Sequence, residues 1–393
     1  MRKPSALLLP TGLILVVVLI SGCTALGGLF GGDVINVQQS TVQNGIQDVV
    51  VVKDTLTIPK SPLLPDQQLT LSFIVENKDK LMNVKNVRID MFNAPTIRNS
   101  GGTLCNLYVA SGYTPCAINV GTCVGAEPPP PNVQVTPSQQ RYCMPDKCGS
   151  GGANEPAACV ILPGEEKPIT FTLMTPSSAD IKNIKTETKI NFKATYEFDG
   201  SLNYIVSAIS ADEILKRQRS GDKATLFTTK SYGSGPVQID VELQGAPYIL
   251  SGNNPINPDQ PETVMFFTIQ NRGSGTLVNS QIDSGKMQII FPPELEIVNG
   301  KYSEQFLCTD ITDINGQRTL CTNTGNVDST GKKVSDGVIP LYKDQSRSSL
   351  RFTVKLKQPL NEPFRSLQIT STVNYNYELR DYVDLTINPF QNV

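Results

Sequence analysis

The chain contains no histidine and no tryptophan, and it carries little net charge for its length. Its 393 residues include 34 basic and 36 acidic side chains, which leaves a net charge of −2. Without histidine, Ser-His-Asp and Cys-His catalysis and histidine-ligated metal sites are excluded. The near-neutral balance argues against a nucleic-acid partner, because such proteins usually present a strongly basic surface.

Common catalytic motifs are also missing. The sequence has no GxSxG, no P-loop, and no GxGxxG with suitable flanks. The adjacent acids Glu165 and Glu166 lie in a turn signal, so we expect them to be solvated. Four aspartates of a later segment could ligate calcium but lack EF-hand spacing, namely Asp310, Asp313, Asp328 and Asp336. We therefore expect no enzyme activity, no cofactor and no metal site.

The N-terminus is typical of an export signal. Arg2 and Lys3 precede an apolar run over residues 6–20, which is shorter than the roughly 20 residues of a membrane span. The run ends in Ile20-Ser21-Gly22-Cys23, which resembles the lipobox of secreted lipoproteins and predicts lipidation at Cys23. The alternatives are an uncleaved anchor helix and a free Cys23 after ordinary cleavage. All three place the remaining chain outside the cytoplasm.

The other cysteines agree with an oxidising compartment. They are Cys105, Cys116, Cys123, Cys143, Cys148, Cys159, Cys308 and Cys321. Their even number and the absence of CxxC spacing favour disulfides over zinc. The six between 105 and 159 allow fifteen pairings, and the sequence does not choose among them. Cys308 and Cys321 lie apart from the others and are predicted to pair with each other.

Runs that alternate apolar and polar residues occur twice in the same order. QLTLSFIVENK (68–78) corresponds to TVMFFTIQNRG (263–273), and period-two alternation predicts half-buried strands. In each set a second run, a cysteine-bearing insertion and two further runs follow. We interpret the body of the chain as two copies of one β-module.

The last runs of the two sets also correspond. Tyr375 and Tyr377 take the places of Tyr196 and Phe198. In the first set, Asp199-Gly200 separates two alternating stretches, and this dipeptide predicts a β-hairpin turn.

The turns that precede the strands carry a family resemblance. Pro65-Asp66 leads to Val75-Glu76-Asn77, and Pro258-Asp259 leads to Ile269-Gln270-Asn271. These motifs resemble the immunoglobulin-like, cell-adhesion-related modules of exported prokaryotic, archaeal-type lipoproteins. The resemblance implies an all-β fold of two tandem β-sandwich modules behind an N-terminal signal or anchor helix. The chain departs from true immunoglobulin domains because it lacks tryptophan and its cysteines lie in insertions.

The predicted organisation has five parts. They are a signal peptide (1–23), a tether (24–47), a first module (48–210) with a cysteine-rich insertion (99–160), a helix and linker (211–236), and a second module (237–390) with a disulfide insertion (299–337). Ser210 and Gly221 would cap the short helix. We expect Val49–Val52 to belong to the core, or alternatively to form an edge strand open to a partner.

These features predict a non-enzymatic, extracytoplasmic protein anchored to membrane lipid at the cell surface. The insertion 99–160 would bind a protein or envelope partner, because loops on rigid scaffolds often carry recognition. One alternative is a subunit of an extracellular filament or surface layer that assembles through edge strands. Another is a carboxylate-dependent enzyme acting on envelope glycan, which would need two acids converging in a cleft.

Overall fold

The computed structural model describes residues 35–43, 45–92, 98–99, 123–124, 142–143, 160–252, 260–313, 316–325, 334–341 and 347–390. The predicted signal peptide and Cys23 lie outside the described residues, as do four insertion cysteines, Cys105, Cys116, Cys148 and Cys159. No helix in the described ranges is both long enough and apolar enough to span a membrane.

The described residues form 22 strands and two helical segments. Before the α-helix the strands are β1 (Ile35–Gln43), β2 (Val50–Ile58), β3 (Gln68–Asn77), β4 (Lys85–Phe92), β5 (Arg98–Asn99), β6 (Cys123–Val124), β7 (Tyr142–Cys143), β8 (Glu166–Met174) and β9 (Thr186–Ser210). The helix is α1 (Ala211–Ser220). After it come β10 (Ala224–Tyr232), β11 (Val237–Leu243), β12 (Ile249–Ser251), β13 (Thr263–Asn271), β14 (Thr276–Leu277), a 3-10 turn (Val278–Ser280), β15 (Gln281–Ile282), β16 (Met287–Phe291), β17 (Leu295–Tyr302), β18 (Leu307–Asp313), β19 (Gly316–Thr322), β20 (Ile339–Pro340), β21 (Arg347–Leu356) and β22 (Phe364–Ile387).

The predicted all-β class is confirmed for the described part of the chain, and the predicted short helix is present. The side chain of Ser210 accepts a hydrogen bond from the Glu213 backbone N–H at 3.2 Å, which satisfies one of the free donors of the first turn. Gly221 ends the helix in the left-handed conformation at φ 75°. Both caps are the residues that the sequence predicts.

Two long strands form the centre of the fold. β9 and β22 pair antiparallel without interruption, from Thr186 opposite Ile387 to Ile209 opposite Phe364. Because β9 belongs to the first repeat and β22 to the second, one continuous sheet runs through both repeats. β4 extends this sheet beside β9, and β16 extends it beside β22.

The hairpin predicted at Asp199-Gly200 is wrong. Both residues lie inside β9, where Asp199 is opposite Asn374 and Gly200 is opposite Val373. Gly200 is needed for another reason: a Cβ there would lie 2.8 Å from the Val237 carbonyl oxygen, at the start of β11. The glycine therefore allows a close backbone approach within a strand and does not form a turn.

Two smaller sheets cover the same face of the long sheet. One has the order β2-β3-β8-β5 and the other the order β11-β13-β21-β17. Phe73 of the first stacks on Phe192 of β9 with ring centroids 4.3 Å apart. Phe267 of the second meets Phe291 of β16 edge to face at 6.1 Å. The buried residues of both layers belong to one continuous hydrophobic cluster.

The register of β9 and β22 gives the fold an internal two-fold relation. Tyr196 lies opposite Tyr377, and Phe198 lies opposite Tyr375. Since Tyr196 corresponds to Tyr375 in the sequence repeat, equivalent residues cross over around the central pair, Glu197 and Asn376. The covering sheets repeat the same strand order, so each repeat supplies equivalent strands to both layers.

Several strands lie in segments where the sequence predicted none, including β6 and β7 of the first insertion. Residues 35–43 of the predicted tether form β1, which pairs in parallel with β10. β10 itself lies within the predicted linker 211–236. The insertion 299–337, expected to be irregular, contains the antiparallel pair β18–β19, which continues the long sheet from β16. Pairing with a neighbouring strand stabilises each of these segments, and their own sequences show only weak alternation.

Equivalent asparagines end β3 and β13 and brace the following turns. The Asn77 amide, fully buried, donates to the carbonyls of Met82 and Ile161 at 2.9 and 3.1 Å, while its oxygen accepts from the Asp79 N–H at 3.0 Å. In the second repeat, Asn271 accepts from the Gly273 N–H at 3.1 Å. Its Nδ2 also donates to the Gly275 carbonyl at 2.9 Å.

We expect the two repeats to unfold as one cooperative unit. Asn77→Ala should lower the free energy of unfolding by about 2 kcal/mol, because it leaves buried backbone groups without partners. Asn271→Ala in the other repeat should shift the same single transition in calorimetry. The exposed Asn376→Ala serves as the control and should change stability by less than about 0.5 kcal/mol. Two transitions, each sensitive to only one of the variants, would contradict a shared core.

Candidate functional site

The adjacent acids Glu165 and Glu166 are engaged in ion pairs. Lys167 lies 2.6 Å from Glu165 and holds the pKa of that carboxyl below its ordinary value. Lys53 lies 2.6 Å from Glu166 and 2.9 Å from Glu76, and these hydrogen bonds raise the pKa of the Lys53 ammonium. Both acids therefore act as surface counterions, and the contacts of Lys53 with Glu166 and Glu76 join β2, β3 and β8.

The aspartates considered as calcium ligands are separately occupied where the structure describes them. Asp310 accepts from the Thr319 hydroxyl at 2.8 Å, and Asp336 accepts from the Val338 N–H at 3.0 Å. The side chain of Asp313 and all of Asp328 lie outside the described residues. Within the described ranges, no group of three or more Cys, Asp or Glu side chains could hold a metal ion.

The basic run on α1 faces solvent. Lys216 and Arg219 are exposed and, with Leu215, help to line a shallow depression of about 430 Å³. Arg217 turns back to Glu213 at 2.6 Å, an i,i+4 pair along the helix. This arrangement agrees with a solvated helix face.

A polar cluster on the outer face of the long sheet was not predicted. Asn374 donates from its amide to Glu197 and to Asp199, each at 2.7 Å. Lys85 lies 2.9 Å from the other oxygen of Asp199. Burial alone would raise the pKa of Asp199, but Asn374 and Lys85 outweigh it and hold the pKa below its ordinary value. Because the sequence predicted a turn at Asp199-Gly200, it did not indicate that Glu197 and Asp199, at i and i+2, lie on one face of a strand.

A glycan-acting enzyme requires at least two carboxylates on one face. The pKa of Asp199 does not suit the role of general acid in such a pair. A general acid needs a raised pKa, whereas that of Asp199 is lowered. Both groups accept hydrogen bonds from the same amide, which ties β9 to β22. The geometry suits cross-strand stabilisation.

An ion pair between a buried lysine and a half-buried aspartate joins the long sheet to the second covering sheet. Lys230 of β10, only 6% exposed, lies 2.7 Å from Asp240 of β11. The Tyr232 hydroxyl donates to the same carboxylate at 2.9 Å. Burial alone would raise the pKa of Asp240, but Lys230 and Tyr232 more than offset it and lower the net pKa. Lys230 occupies an inward position of β10, which lies in the predicted linker 211–236, so the sequence did not indicate this ion pair.

The sheet edges differ in how they could meet a partner. Val49 and Val50 are buried, as the core interpretation predicts, and β2 lies at the edge of its sheet. That edge is interrupted between Lys53 and Leu56, where Asp54 has φ 54°. Bulges and charges of this kind discourage pairing with other strands.

β1 has none of these protections. Its sequence, INVQQSTVQ, contains no charged residue, proline or glycine. It pairs with β10 in unbroken register from Ile35 opposite Ala224 to Gln43 opposite Tyr232. Among the described strands it has no second neighbour, so none of them pairs with the other row of its backbone hydrogen-bonding groups.

The segments around the first insertion are held at two points. β5 pairs with β8 in the covering sheet, and β7 pairs with β4 in the long sheet. The base of the insertion 99–160 is thus attached to both layers of the first repeat. Its segment Glu127–Pro131 and most of its length lie outside the described residues.

Comparison with known proteins adds little evidence about the fold or the function. The chain matches no protein-family model, and no curated protein matches it. Among solved structures, one similar chain comes from a structure described as a chaperone-tip adhesin complex vital for synergistic activation of CFA/I fimbriae biogenesis. It is 8% identical, with a TM-score of 0.11, over 91% of this chain and 97% of that chain.

A second similar chain is a mutant of the CFA/I adhesin CfaE of enterotoxigenic E. coli. It is 9% identical, with a TM-score of 0.11, over 90% of this chain and 98% of that chain. Likenesses this weak carry no argument about fold or function.

We expect Asp240→Asn to destabilise the protein by about 3 kcal/mol, because it leaves the Lys230 charge buried without a partner. Adding Lys230→Met should restore most of the loss. Since the folded pKa of Asp240 is lowered, its contribution is complete above the ordinary aspartate value of about 3.9 and is lost as the pH falls through the folded value. Urea unfolding at pH 7 and pH 3 should therefore show a smaller difference between wild type and variant at the lower pH. An equal difference at both values would contradict this assignment.

Proposed function

We propose that the protein is a non-enzymatic, membrane-anchored component of the cell surface that holds the insertion 99–160 on a rigid support. In this proposal the two repeats are immunoglobulin-like β-sandwich halves that share one sheet. The anchor is lipid attached at Cys23, and the body lies outside the cytoplasm. The partner of the insertion is a protein or another envelope component.

The observation that carries the proposal is the β9–β22 ladder. A strand of 25 residues at about 3.3 Å per residue extends roughly 80 Å. Because the ladder is unbroken and the core continuous, no hinge separates the two repeats within the described residues. A long rigid body suits a support better than it suits an enzyme that closes around a substrate.

The places where β10 and β4 pair with β9 also favour it. β10, which carries β1, pairs with β9 at residues 202–205. β4, which carries the insertion, pairs with β9 at residues 191–197. These sites lie roughly 30 Å apart at about 3.3 Å per residue. Residues 24–34 separate Cys23 from β1, so the anchor would join the body through β1 and β10, while the recognition segment joins it through β4.

The test uses the full chain expressed in its own cells with a C-terminal affinity tag. Mass spectrometry of the mature N-terminal peptide should show acylated Cys23, and Cys23→Ser should release the protein from the membrane fraction. Replacing residues 100–159 by a short Gly-Ser turn should abolish co-purification of the envelope partner while the protein still melts cooperatively. An unmodified Cys23 would overturn the anchor, and unchanged co-purification would overturn the role of the insertion.

The open edge of β1 favours a second candidate, a subunit of an extracellular filament or surface layer. An uncharged edge strand can add a strand from a second copy. Light scattering of the purified chain should then show association that rises with concentration. Gln39→Lys, at an exposed position near the middle of β1, should weaken it, because like charges would face each other across a symmetric contact.

Gln358→Lys is the matched control for this second candidate, since Gln358 is exposed in the turn before β22. It should leave association unchanged. A wild-type chain that stays monomeric over the whole concentration range, or equal effects of the two lysine variants, would contradict assembly through β1.

A further inference from the structure

The disulfide of the second repeat occupies a defined place in the long sheet. Cys308 of β18 lies directly opposite Cys321 of β19, with Cα atoms 4.0 Å apart, and the two are bonded as the sequence predicts. Cys321 in turn lies opposite Ile289 of β16, the strand that flanks β22. The bond thus joins the two strands that extend the sheet outward from β16.

The first repeat places two cysteines in the corresponding strands. β7 pairs with β4, which flanks β9, and β6 pairs with β7. Cys143 lies opposite Ile89 of β4, and Cys123 lies opposite Cys143. The order β4-β7-β6 therefore repeats the order β16-β19-β18, with a cysteine at the paired position of each outer strand.

From this placement we infer that Cys123 and Cys143 form a disulfide, the counterpart in the first repeat of Cys308–Cys321. Directly opposite residues of antiparallel strands have Cα atoms about 4.5–5.5 Å apart, within the range of about 4.4–6.8 Å that most disulfides show. The backbone register brings these two cysteines to that separation without rearrangement.

The bond forms by exchange with an oxidised protein of the exported compartment. The thiolate of one cysteine attacks a sulfur of that protein's disulfide and forms a mixed disulfide. The thiolate of the other cysteine then displaces the oxidant, which leaves as a dithiol carrying the two electrons. The two protons released by the cysteine thiols balance the two that the oxidant's thiolates take up to form the dithiol.

This pairing limits how the other cysteines of the insertion can pair. The four remaining cysteines, Cys105, Cys116, Cys148 and Cys159, allow three pairings in place of the fifteen that six cysteines allow. The assigned bond also closes the segment that contains Glu127–Pro131 into a loop beyond β6 and β7. That loop is anchored to the long sheet in the same way as the β18–β19 pair of the second repeat.

Peptide mapping of the full chain, purified from an oxidising compartment and digested without reduction, tests the inference. Cleavage after Arg141 and Lys147 isolates Cys143 in the peptide 142–147. It should be linked to the peptide 99–141, and electron-transfer fragmentation should place the link at Cys123. A link to the peptide that begins at Cys148, or to Cys105 or Cys116, would overturn the inference.

A variant gives an independent readout. Cys123→Ser should leave Cys143 as the thiol that reacts with maleimide under denaturing, non-reducing conditions, so that the label appears on the peptide 142–147. Cys308→Ser is the matched control and should expose Cys321 in the same way. If Cys143 stays protected in Cys123→Ser while the control exposes Cys321, the assignment is wrong.

Discussion

The fold depends on the pairing of β9 with β22, two strands about 180 residues apart in the chain. Their backbone hydrogen bonds join the two repeats edge to edge. Their inward side chains form the apolar surface on which both covering sheets pack. Bringing such distant segments together costs chain entropy. Burial of aromatic and aliphatic side chains along the whole ladder offsets that cost, so the repeats stabilise each other.

The centre of this ladder is crowded, and the crowding explains why glycine occupies some of the nearby positions. Tyr196 and Tyr377 have ring centroids 5.6 Å apart, and a Cβ at Gly273 would lie 2.5 Å from the Tyr377 hydroxyl oxygen. A Cβ at Gly235, where φ is +124°, would lie 2.4 Å from the Tyr375 hydroxyl oxygen. Glycine is required there by both its backbone conformation and its contact. Local turn rules could not predict this, because the contact comes from residues far away in the chain.

Features governed by neighbouring residues were predictable. The alternating runs gave β3 and β13, Ser210 and Gly221 gave the ends of α1, and the isolation of Cys308 and Cys321 gave their disulfide. Features that depend on a distant partner were missed. β1 is polar and becomes a strand only by pairing with β10, and Lys230 is tolerated inside only because Asp240 meets it from another sheet. The outer-face cluster around Asn374 likewise needs three separate strands.

The sequence by itself determined the all-β class, the repeat, and which face of each alternating strand is buried, because side-chain periodicity is a local property. Only the tertiary structure decided which strands are neighbours, and hence that the two repeats share one sheet. The reason is that strands are joined by backbone N–H and C=O groups, which are the same for nearly every residue. Periodicity specifies a face, but the choice of neighbour depends on the packing of the whole core.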